Sequence, residues 1–153
     1  MTNSDIERIM KAYASDAVAI AARRDIPFDY SEKSLDSVDE LLGHESFIGL
    51  TPRVPESPED EETLWMLSKV LGAYVGEVAL KVFNGEWVEA LTDDGGIRAM
   101  IEVHGVKAFP VEKVWKRLTE SEFDSLGGYC RALRVIIERR TNDNPGGITD
   151  GTG

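Results

Sequence analysis

LGAYVGEVALKVFNGEWVEAL, residues 71–91, begins with the spacing of a helix and ends with the composition of a strand. Apolar residues recur every three or four positions up to Phe83, as on a largely enclosed helix. Asn84 and Gly85 then end the helix, and the β-favouring segment EWVEAL follows. This change of period predicts a mixed fold in which a long helix leads directly into a sheet.

The start of this central helix is predicted at SPED, residues 57–60. Ser57 is a good N-cap, Pro58 suits the first helical position, and Asp60 can return the capping bond. The acids that follow lie in the first turns, where the helix dipole favours negative charge. The central helix is therefore expected to run from Pro58 to Phe83.

Two helices are predicted before the central helix. The first runs from Asp5 to about Arg24, with Ser4 as its N-cap and an apolar stripe at helical spacing. The second is short, with Ser31 as a cap and Gly43 as its end. Together with the central helix they supply the α part of the fold.

Three strands are predicted after the central helix. EWVEAL, IRAMIEV and VKAF follow one another closely, separated by the turn DDGG at residues 93–96 and by His104-Gly105, a two-residue hairpin link. Short links of this kind give an antiparallel meander. The residues expected to face the helices are Trp87, Ile97, Ala99, Ile101 and Val103.

Two more helices and a polar tail complete the prediction. Pro110 opens one helix, and a capping box at residues 119–122 opens the last, which Gly127-Gly128 interrupts. The segment from residue 141 is Gly-rich and polar, so residues 1–140 are predicted as a single domain and residues 141–153 as a disordered tail. The fold class is α+β: a three-stranded antiparallel meander packed on one face by helices, with a long N-terminal helix and a long central helix.

Acidic residues are concentrated in one part of the chain. The net charge is −11, and residues 25–62 hold twelve acids against two bases, so this segment carries −10. Binding to nucleic acid or to an anionic membrane needs clustered Lys and Arg, and neither partner is expected. A basic protein would be attracted, and its association rate would fall as salt rises.

Other patterns indicate where the protein resides and what it lacks. No apolar run approaches the ~20 residues that span a bilayer, and the charged N-terminus does not resemble a secretory signal. Cys130 is the only cysteine, which excludes an internal disulfide and favours the reducing cytoplasm. His44 and His104 do not have the spacing of zinc ligands, and we expect no metal and no cofactor.

Three short motifs resemble an uncharacterised bacterial domain family. They are FDYSEKSLDSVDELL at residues 28–42, LGAYVGEV at residues 71–78, and the Glu86-Trp87 pair of the first strand. A helix start at residues 110–113 also fits, so the resemblance covers residues 28–118. It implies a small cytoplasmic domain and transfers no catalytic residue. Size and acidity are also similar to those of immunity proteins, which neutralise a toxin by binding it.

The acidic segment is the predicted partner-binding site. Aromatic residues such as Phe28 lie among its acids, and carboxylates around exposed rings can form a hot spot for a basic protein surface. A solvated face with helix-dipole compensation is the alternative explanation. The loop at residues 44–57 is interpreted as a lid, a partner-contacting loop or a connector. The predicted partner-binding residues are Asp29, Tyr30, Asp36, Asp39, Glu40, Glu45 and Phe47.

A second candidate site lies on the central helix, where Gly72 and Gly76 each cost about 1 kcal/mol relative to alanine. They either let another backbone approach closely or form the floor of a ligand pocket beside Glu77. A general base at Glu77 would need a raised pKa, whereas pairing with Lys81 one turn later would leave it a surface acid.

The sequence therefore predicts a non-enzymatic binding protein of immunity or inhibitor type, which occludes a basic partner protein through its acidic surface. A nuclease toxin is one such partner. The first alternative is a small enzyme or ligand-binding domain with a pocket near Gly72, Gly76 and Glu77. The second is a structural or adaptor protein that self-associates, for example as a homodimer. No catalytic residue is assigned under any of the three.

Overall fold

The computed structural model describes residues 2–44, 54–92, 97–120 and 125–143. These residues form five helices and a three-stranded antiparallel sheet, which confirms the predicted α+β class. The turn predicted at residues 93–96 lies outside the described residues. In chain order the elements are α1 (Asn3–Ala22), α2 (Ser34–Leu42), α3 (Pro58–Phe83), β1 (Glu86–Leu91), β2 (Ile97–Val103), β3 (Val106–Ala108), α4 (Pro110–Thr119) and α5 (Leu126–Asp143).

The central helix, α3, has the ends that the sequence predicts. The side chain of the N-cap, Ser57, accepts a hydrogen bond from the amide of Asp60 at 3.1 Å. The Asp60 carboxylate in turn accepts from the amide of Glu56 at 3.1 Å. At the other end Asn84 takes a left-handed conformation with φ of 59° and stops the helix. Helices α1 and α4 pack along α3, and the buried residues of α3 lie between Leu64 and Phe83.

The N-terminal helix, α1, begins earlier than predicted. Ser4 is the N-cap predicted from the sequence, but Thr2 takes that position and forms a capping box with Asp5. The earlier start adds backbone hydrogen bonds to the helix. It also places the Asn3 side chain where it accepts a hydrogen bond from the amide of Glu89 in β1 at 3.0 Å. The start at Thr2 thus also brings the helix into contact with the sheet.

The sheet is a meander with strand order β1-β2-β3, as predicted. His104 and Gly105 link β2 to β3 with φ of 50° and 79°, positive at both positions as in a type I′ turn. Trp87 of β1 lies opposite Ile101 of β2, and both side chains are buried against the helices. Of the other residues predicted to face inward, Val103 is buried, Ala99 is half-buried and the Ile97 side chain lies outside the described residues.

Gly72 and Gly76 are the points at which α3 meets its neighbours. A Cβ atom at Gly72 would lie 2.6 Å from the Cα of Val111 in α4. One at Gly76 would lie 2.2 Å from the ring of Trp87 in β1. Both distances are too short for any side chain, so glycine is what allows α4 and β1 to pack on α3. The close-approach interpretation of the two glycines is therefore the one the packing supports.

The last helix differs from its prediction at both ends. Thr119, expected in a capping box for this helix, instead belongs to α4, where its hydroxyl donates to the carbonyl of Trp115 at 2.8 Å. The final helix, α5, begins at Leu126, so Gly127 and Gly128 lie in its first turn and do not interrupt it. The helix continues to Asp143, three residues into the segment predicted as a tail. Residues 144–153 lie outside the described part.

The apolar core surrounds α3 and extends under α2 and α5. Trp65 of α3 and Trp115 of α4 stack at its edge, with ring centroids 4.0 Å apart. Within the described ranges, no helix combines the length and the apolar character needed to cross a bilayer.

Candidate functional site

The loop before α2 is fixed to the central helix by Tyr74. The Tyr74 hydroxyl accepts a hydrogen bond from the amide of Tyr30 at 2.8 Å and shares another with the hydroxyl of Ser34 at 2.6 Å. Phe28 stacks on the Tyr74 ring with a centroid distance of 4.5 Å. Burial raises the pKa of Tyr74, so the hydroxyl stays neutral and keeps its proton. A segment that is neither helix nor strand thereby gains a defined position.

These contacts correct the prediction of exposed aromatic rings. Phe28 is buried, and Tyr30 is half-buried with its ring 5.0 Å from that of Tyr74. Sequence reasoning placed both rings among surface acids because the acids dominate the local composition. It did not identify Tyr74 as the partner of these rings. Tyr74 lies 44 residues after Tyr30 in the sequence and contacts both rings. Glu45 and Phe47, also predicted in this site, lie outside the described residues.

Three of the predicted partner-binding acids come together at one concavity. Asp36 and Glu40 are one turn apart on the outer face of α2, and Asp29 comes from the preceding loop. All three are exposed and line a pocket of about 360 Å³, which we call the acidic pocket. Lys33 is its one basic residue. The full lining is Pro27, Asp29, Ser31, Lys33, Ser34, Asp36, Ser37 and Glu40.

The acidic pocket has a fixed carboxylate at Asp29. Its Oδ1 accepts hydrogen bonds from the hydroxyl of Ser31 at 2.6 Å and from the amide of Ser31 at 3.0 Å. These bonds lower the pKa of Asp29, so the group is ionised throughout the neutral range. Ser31 also accepts from the amide of Ser34 at 3.2 Å, which joins the loop to the first turn of α2. The site is thus held in shape by hydrogen bonds among its own residues.

Asp39, predicted as a partner-binding residue, serves the fold instead. Its carboxylate accepts from the amides of Leu126 at 3.1 Å and Gly127 at 3.4 Å. These amides belong to the first turn of α5 and have no carbonyl partner within the helix, so Asp39 supplies the cap. The Arg117 guanidinium of α4, whose side chain is 9% exposed, lies 3.6 Å from the same carboxylate. Asp39 therefore joins α2, α4 and α5.

Glu32 is a second member of the acidic segment that is engaged internally. Both of its carboxylate oxygens accept hydrogen bonds from the Arg134 guanidinium of α5, one of them at 2.8 Å. Hydrogen bonding from Arg134 lowers the pKa of Glu32. A partner can therefore reach only part of the charge counted along residues 25–62. The acidic pocket is a concave surface lined by three of the accessible acids.

Glu77 lies between the helices and the sheet. The indole Nε1 of Trp87 donates to its carboxylate at 2.7 Å, and the Nζ of Lys11 in α1 lies 3.3 Å away. The ion pair predicted with Lys81 thus forms with Lys11 instead, because α1 packs along this side of α3. Sequence spacing within one helix could not reveal a competitor from another helix.

A polar pocket of about 340 Å³ lies beside Glu77, but the two glycines do not line it. Val111 and Trp87 cover the faces of Gly72 and Gly76. Of the three residues in the predicted ligand pocket, only Glu77 lines this concavity, and ligand binding there stays a prediction. The residues that line it are Glu7, Lys11, Tyr30, Glu77, Leu80, Lys81, Gly85, Glu86 and Trp87, whose three acids and two bases nearly balance.

A further cavity was not anticipated from the sequence. It has a volume of about 540 Å³ and lies between α1, α3, α4 and β2. Its walls are mostly apolar, and Arg98 and Glu112, which form an ion pair at 3.3 Å, stand at its edge. The signal available in the sequence was the wide apolar stripe of α1. The neighbouring elements do not cover all of this stripe, since Ile9 and Tyr13 are only half-buried. The other lining residues are Ile6, Met10, Trp65, Lys69, Thr92, Ala99 and Val111.

Two further observations bear on the chemistry of these sites. Burial raises the pKa of the Cys130 thiol to about 11, so it is protonated at neutral pH and is a poor nucleophile. Within the described part of the chain, no three His, Cys, Asp or Glu side chains lie close enough together to hold a metal ion.

Comparisons with protein-family models, with curated proteins and with solved structures find no match for this chain.

Proposed function

We propose that the protein is a non-enzymatic binding protein of the inhibitor type, which receives a basic side chain of a partner protein in the acidic pocket. The observation that carries the proposal is the arrangement of Asp29, Asp36 and Glu40 around one pocket. Asp39 and Glu32 lie close by in sequence but support the fold, so the three exposed acids form a distinct group.

The shape of the acidic pocket suits an arginine or lysine side chain. Its volume of about 360 Å³ is at the small end of ligand sites and exceeds what a bare ion needs. Asp29 uses only Oδ1 for Ser31, which leaves Oδ2 as an acceptor. A guanidinium group presents five donors in a plane and could reach several of these carboxylates at once.

The surrounding charge would guide such a partner into place. Residues 25–62 carry −10, and a surface with one sign of charge raises the rate at which an oppositely charged protein docks. Inhibition then follows if the captured side chain belongs to the partner's own basic active site. A nuclease toxin is one class of protein whose active site has this charge.

A hexa-arginine peptide is the probe that tests the pocket. In an NMR titration of the whole chain at low salt, the largest amide shifts should fall in residues 29–40. The variant Asp29→Asn/Glu40→Gln should weaken binding by roughly 3- to 10-fold, as expected for the loss of two charge pairs. Asp36 is left unchanged because it lies beside Gly127 at the start of α5, where a substitution would disturb packing.

The matched control is Glu59→Gln/Glu62→Gln. These acids are exposed on the first turns of α3, outside the acidic pocket, and their substitution changes the net charge equally. The control should retain affinity within about a factor of two. Equal losses in the two variants would mean that the peptide responds to total charge, and the proposal would then be wrong.

A ligand-binding domain is the second candidate, and the apolar cavity of about 540 Å³ favours it. Apolar walls with a few convergent polar groups are typical of small-molecule sites. Neutral 2-naphthol is a suitable probe, and its amide shifts should fall in residues 6–13 of α1. The variant Ile9→Trp would fill the cavity and should abolish them. Shifts that persist in this variant would exclude the cavity as the site.

A further inference from the structure

A second concave site carries the opposite charge. It is a groove of about 420 Å³ between β3, α4 and α5, which we call the basic groove. Its floor is apolar, with Val106, Ala108 and Leu133 buried. At its outer edge Ile136 of α5 is 50% exposed, one of few large apolar side chains that the described residues leave in water. The groove therefore offers an apolar surface that is accessible from outside.

Basic side chains surround this apolar floor. Arg98, Lys107, Lys113 and Lys116 all line the groove, and Glu112 is the one acid among the lining residues. Four of the 17 basic residues of a chain with net charge −11 are thus gathered at one site. The sequence does not reveal this grouping, because β2, β3 and α4 each contribute part of it.

The positions of the cations fix where an anion would bind. Arg98 is paired with Glu112 at 3.3 Å and lies over the ring of Phe109, with 4.2 Å to the ring centroid. The Nζ of Lys113 lies 5.6 Å from the centroid of the Tyr129 ring. Lys107 and Lys116 line the groove and are exposed, and neither is ion-paired with a carboxylate in the described ranges. The groove thus combines exposed basic side chains with aromatic and aliphatic lining residues.

We propose that the basic groove binds a small amphipathic anion, a molecule with one carboxylate and an aliphatic body. The aliphatic part would lie on the apolar floor, and the carboxylate would meet Lys107 and Lys116. A volume of about 420 Å³ lies within the range of small-molecule sites. A single anionic group also suits a protein of net charge −11, which repels polyanions at long range.

The proposal is independent of the acidic pocket, since the two sites share no lining residue and take ligands of opposite charge. Failure of one would leave the other intact.

Decanoate, decanol and decyltrimethylammonium share a ten-carbon chain and differ in charge, so they separate the two parts of the proposal. In NMR titrations of the whole chain below micelle formation, decanoate should shift the amides of residues 106–109 and 129–136. Decanol should bind roughly tenfold more weakly at the same place, and the cation more weakly still. Equal affinity for all three would overturn the requirement for an anion.

Two variants locate the site. Lys107→Gln/Lys116→Gln should weaken the binding of decanoate by roughly 3- to 10-fold and leave the binding of decanol unchanged. Ala132→Trp places a large ring in the groove from an exposed position and should abolish binding of both. All of the variants are surface changes, and unchanged thermal unfolding would show that each of them folds.

The matched control is Lys69→Gln/Lys81→Gln, which removes the same charge from residues that line other cavities. It should leave decanoate binding within a factor of about two. A loss as large as that of the groove variant would mean that total charge or another cavity determines the binding of decanoate, and it would overturn the proposal. Tighter binding of a hexaglutamate peptide or of anionic vesicles than of decanoate would likewise overturn the assignment of a small molecule.

Discussion

The indole Nε1 of Trp87 donates a 2.7 Å hydrogen bond to the carboxylate of Glu77, which joins the first strand to the central helix. The Glu77 side chain is only 14% exposed, and Lys11 provides a second partner. We expect Glu77→Ala to lower the free energy of unfolding by about 1.5–3 kcal/mol, because a buried indole donor loses its charged acceptor.

The matched variant is Glu77→Gln. Its amide oxygen can still accept from Trp87, so the free energy of unfolding of this variant should fall by less than about 1.5 kcal/mol. Urea unfolding followed by tryptophan fluorescence measures both. Equal losses for the two variants would show that the hydrogen bond is not what Glu77 contributes.

Gly76 is expected to reject even one methyl group. A Cβ atom there would lie 2.2 Å from the Trp87 ring, and overpacking of this kind costs typically 1–3 kcal/mol. A rigid ring cannot move aside, so the cost should lie in the upper part of this range and exceed the ~1 kcal/mol that alanine gains over glycine within a helix. Thermal unfolding of Gly76→Ala should therefore show a lower midpoint than that of the unchanged protein.

Gly43 provides the control for this experiment. Its φ is −91°, and the nearest atoms to an added Cβ are 3.7 Å away, so alanine fits without strain. Gly43→Ala should be neutral or stabilising by up to about 1 kcal/mol. A stabilised Gly76→Ala would contradict the close packing of β1 on α3.

Asp39 and Glu40 are neighbours in sequence with different expected responses. Asp39→Ala leaves Arg117 buried without its counter-ion and removes the cap of α5, so we expect a loss of about 3–5 kcal/mol. Glu40→Ala changes an exposed acid of the acidic pocket and should stay within about 0.5 kcal/mol. Circular dichroism during urea unfolding measures both, and equal effects would refute the division between structural and available acids.

The Glu32–Arg134 pair predicts a dependence of stability on pH. Hydrogen bonding from Arg134 lowers the pKa of Glu32 below its ordinary value of 4.5. A group with a lower pKa in the folded state contributes stability above its unfolded pKa and loses it as the pH falls through the folded pKa. The urea midpoint of the unchanged protein should thus exceed that of Glu32→Gln at neutral pH, and the gap should shrink below pH 4.5.

The control for this dependence is Arg134→Gln. Without the guanidinium, the pKa of Glu32 should return towards its ordinary value. Glu32→Gln should then have the same effect at neutral and acidic pH. A gap that is constant with pH in the unchanged background would show that Arg134 does not perturb Glu32.

The parts of the fold that the sequence predicts are those set by short-range signals. The cap at Ser57 and the stop at Asn84 act within a few residues, and the same is true of the His104-Gly105 turn. Apolar periodicity identifies the long helices because a buried face must repeat with the helical turn. Such signals need no knowledge of the tertiary structure.

The candidate site was predicted only in part, because long-range contacts decide which acids remain available. Asp39 accepts a hydrogen bond from Leu126, which is 87 positions away in the sequence. Glu32 accepts from Arg134, which is 102 positions away. On α2, Asp36, Asp39 and Glu40 look alike in sequence, and the hydrogen bonds from the amides of α5 distinguish Asp39 from the other two. The charge of the segment was therefore visible in advance, but its division into structural and available acids was not.

The buried hydroxyl of Tyr74 has a consequence for local opening. It holds the amide of Tyr30 and the hydroxyl of Ser34 together, while its ring covers Phe28. Any fluctuation that frees one of these partners exposes the others, so the loop and the start of α2 should open as one cooperative unit. In amide hydrogen exchange they would share a single protection factor. The surface bearing the acidic pocket would then be either wholly present or wholly lost, with no half-formed state to bind a partner weakly.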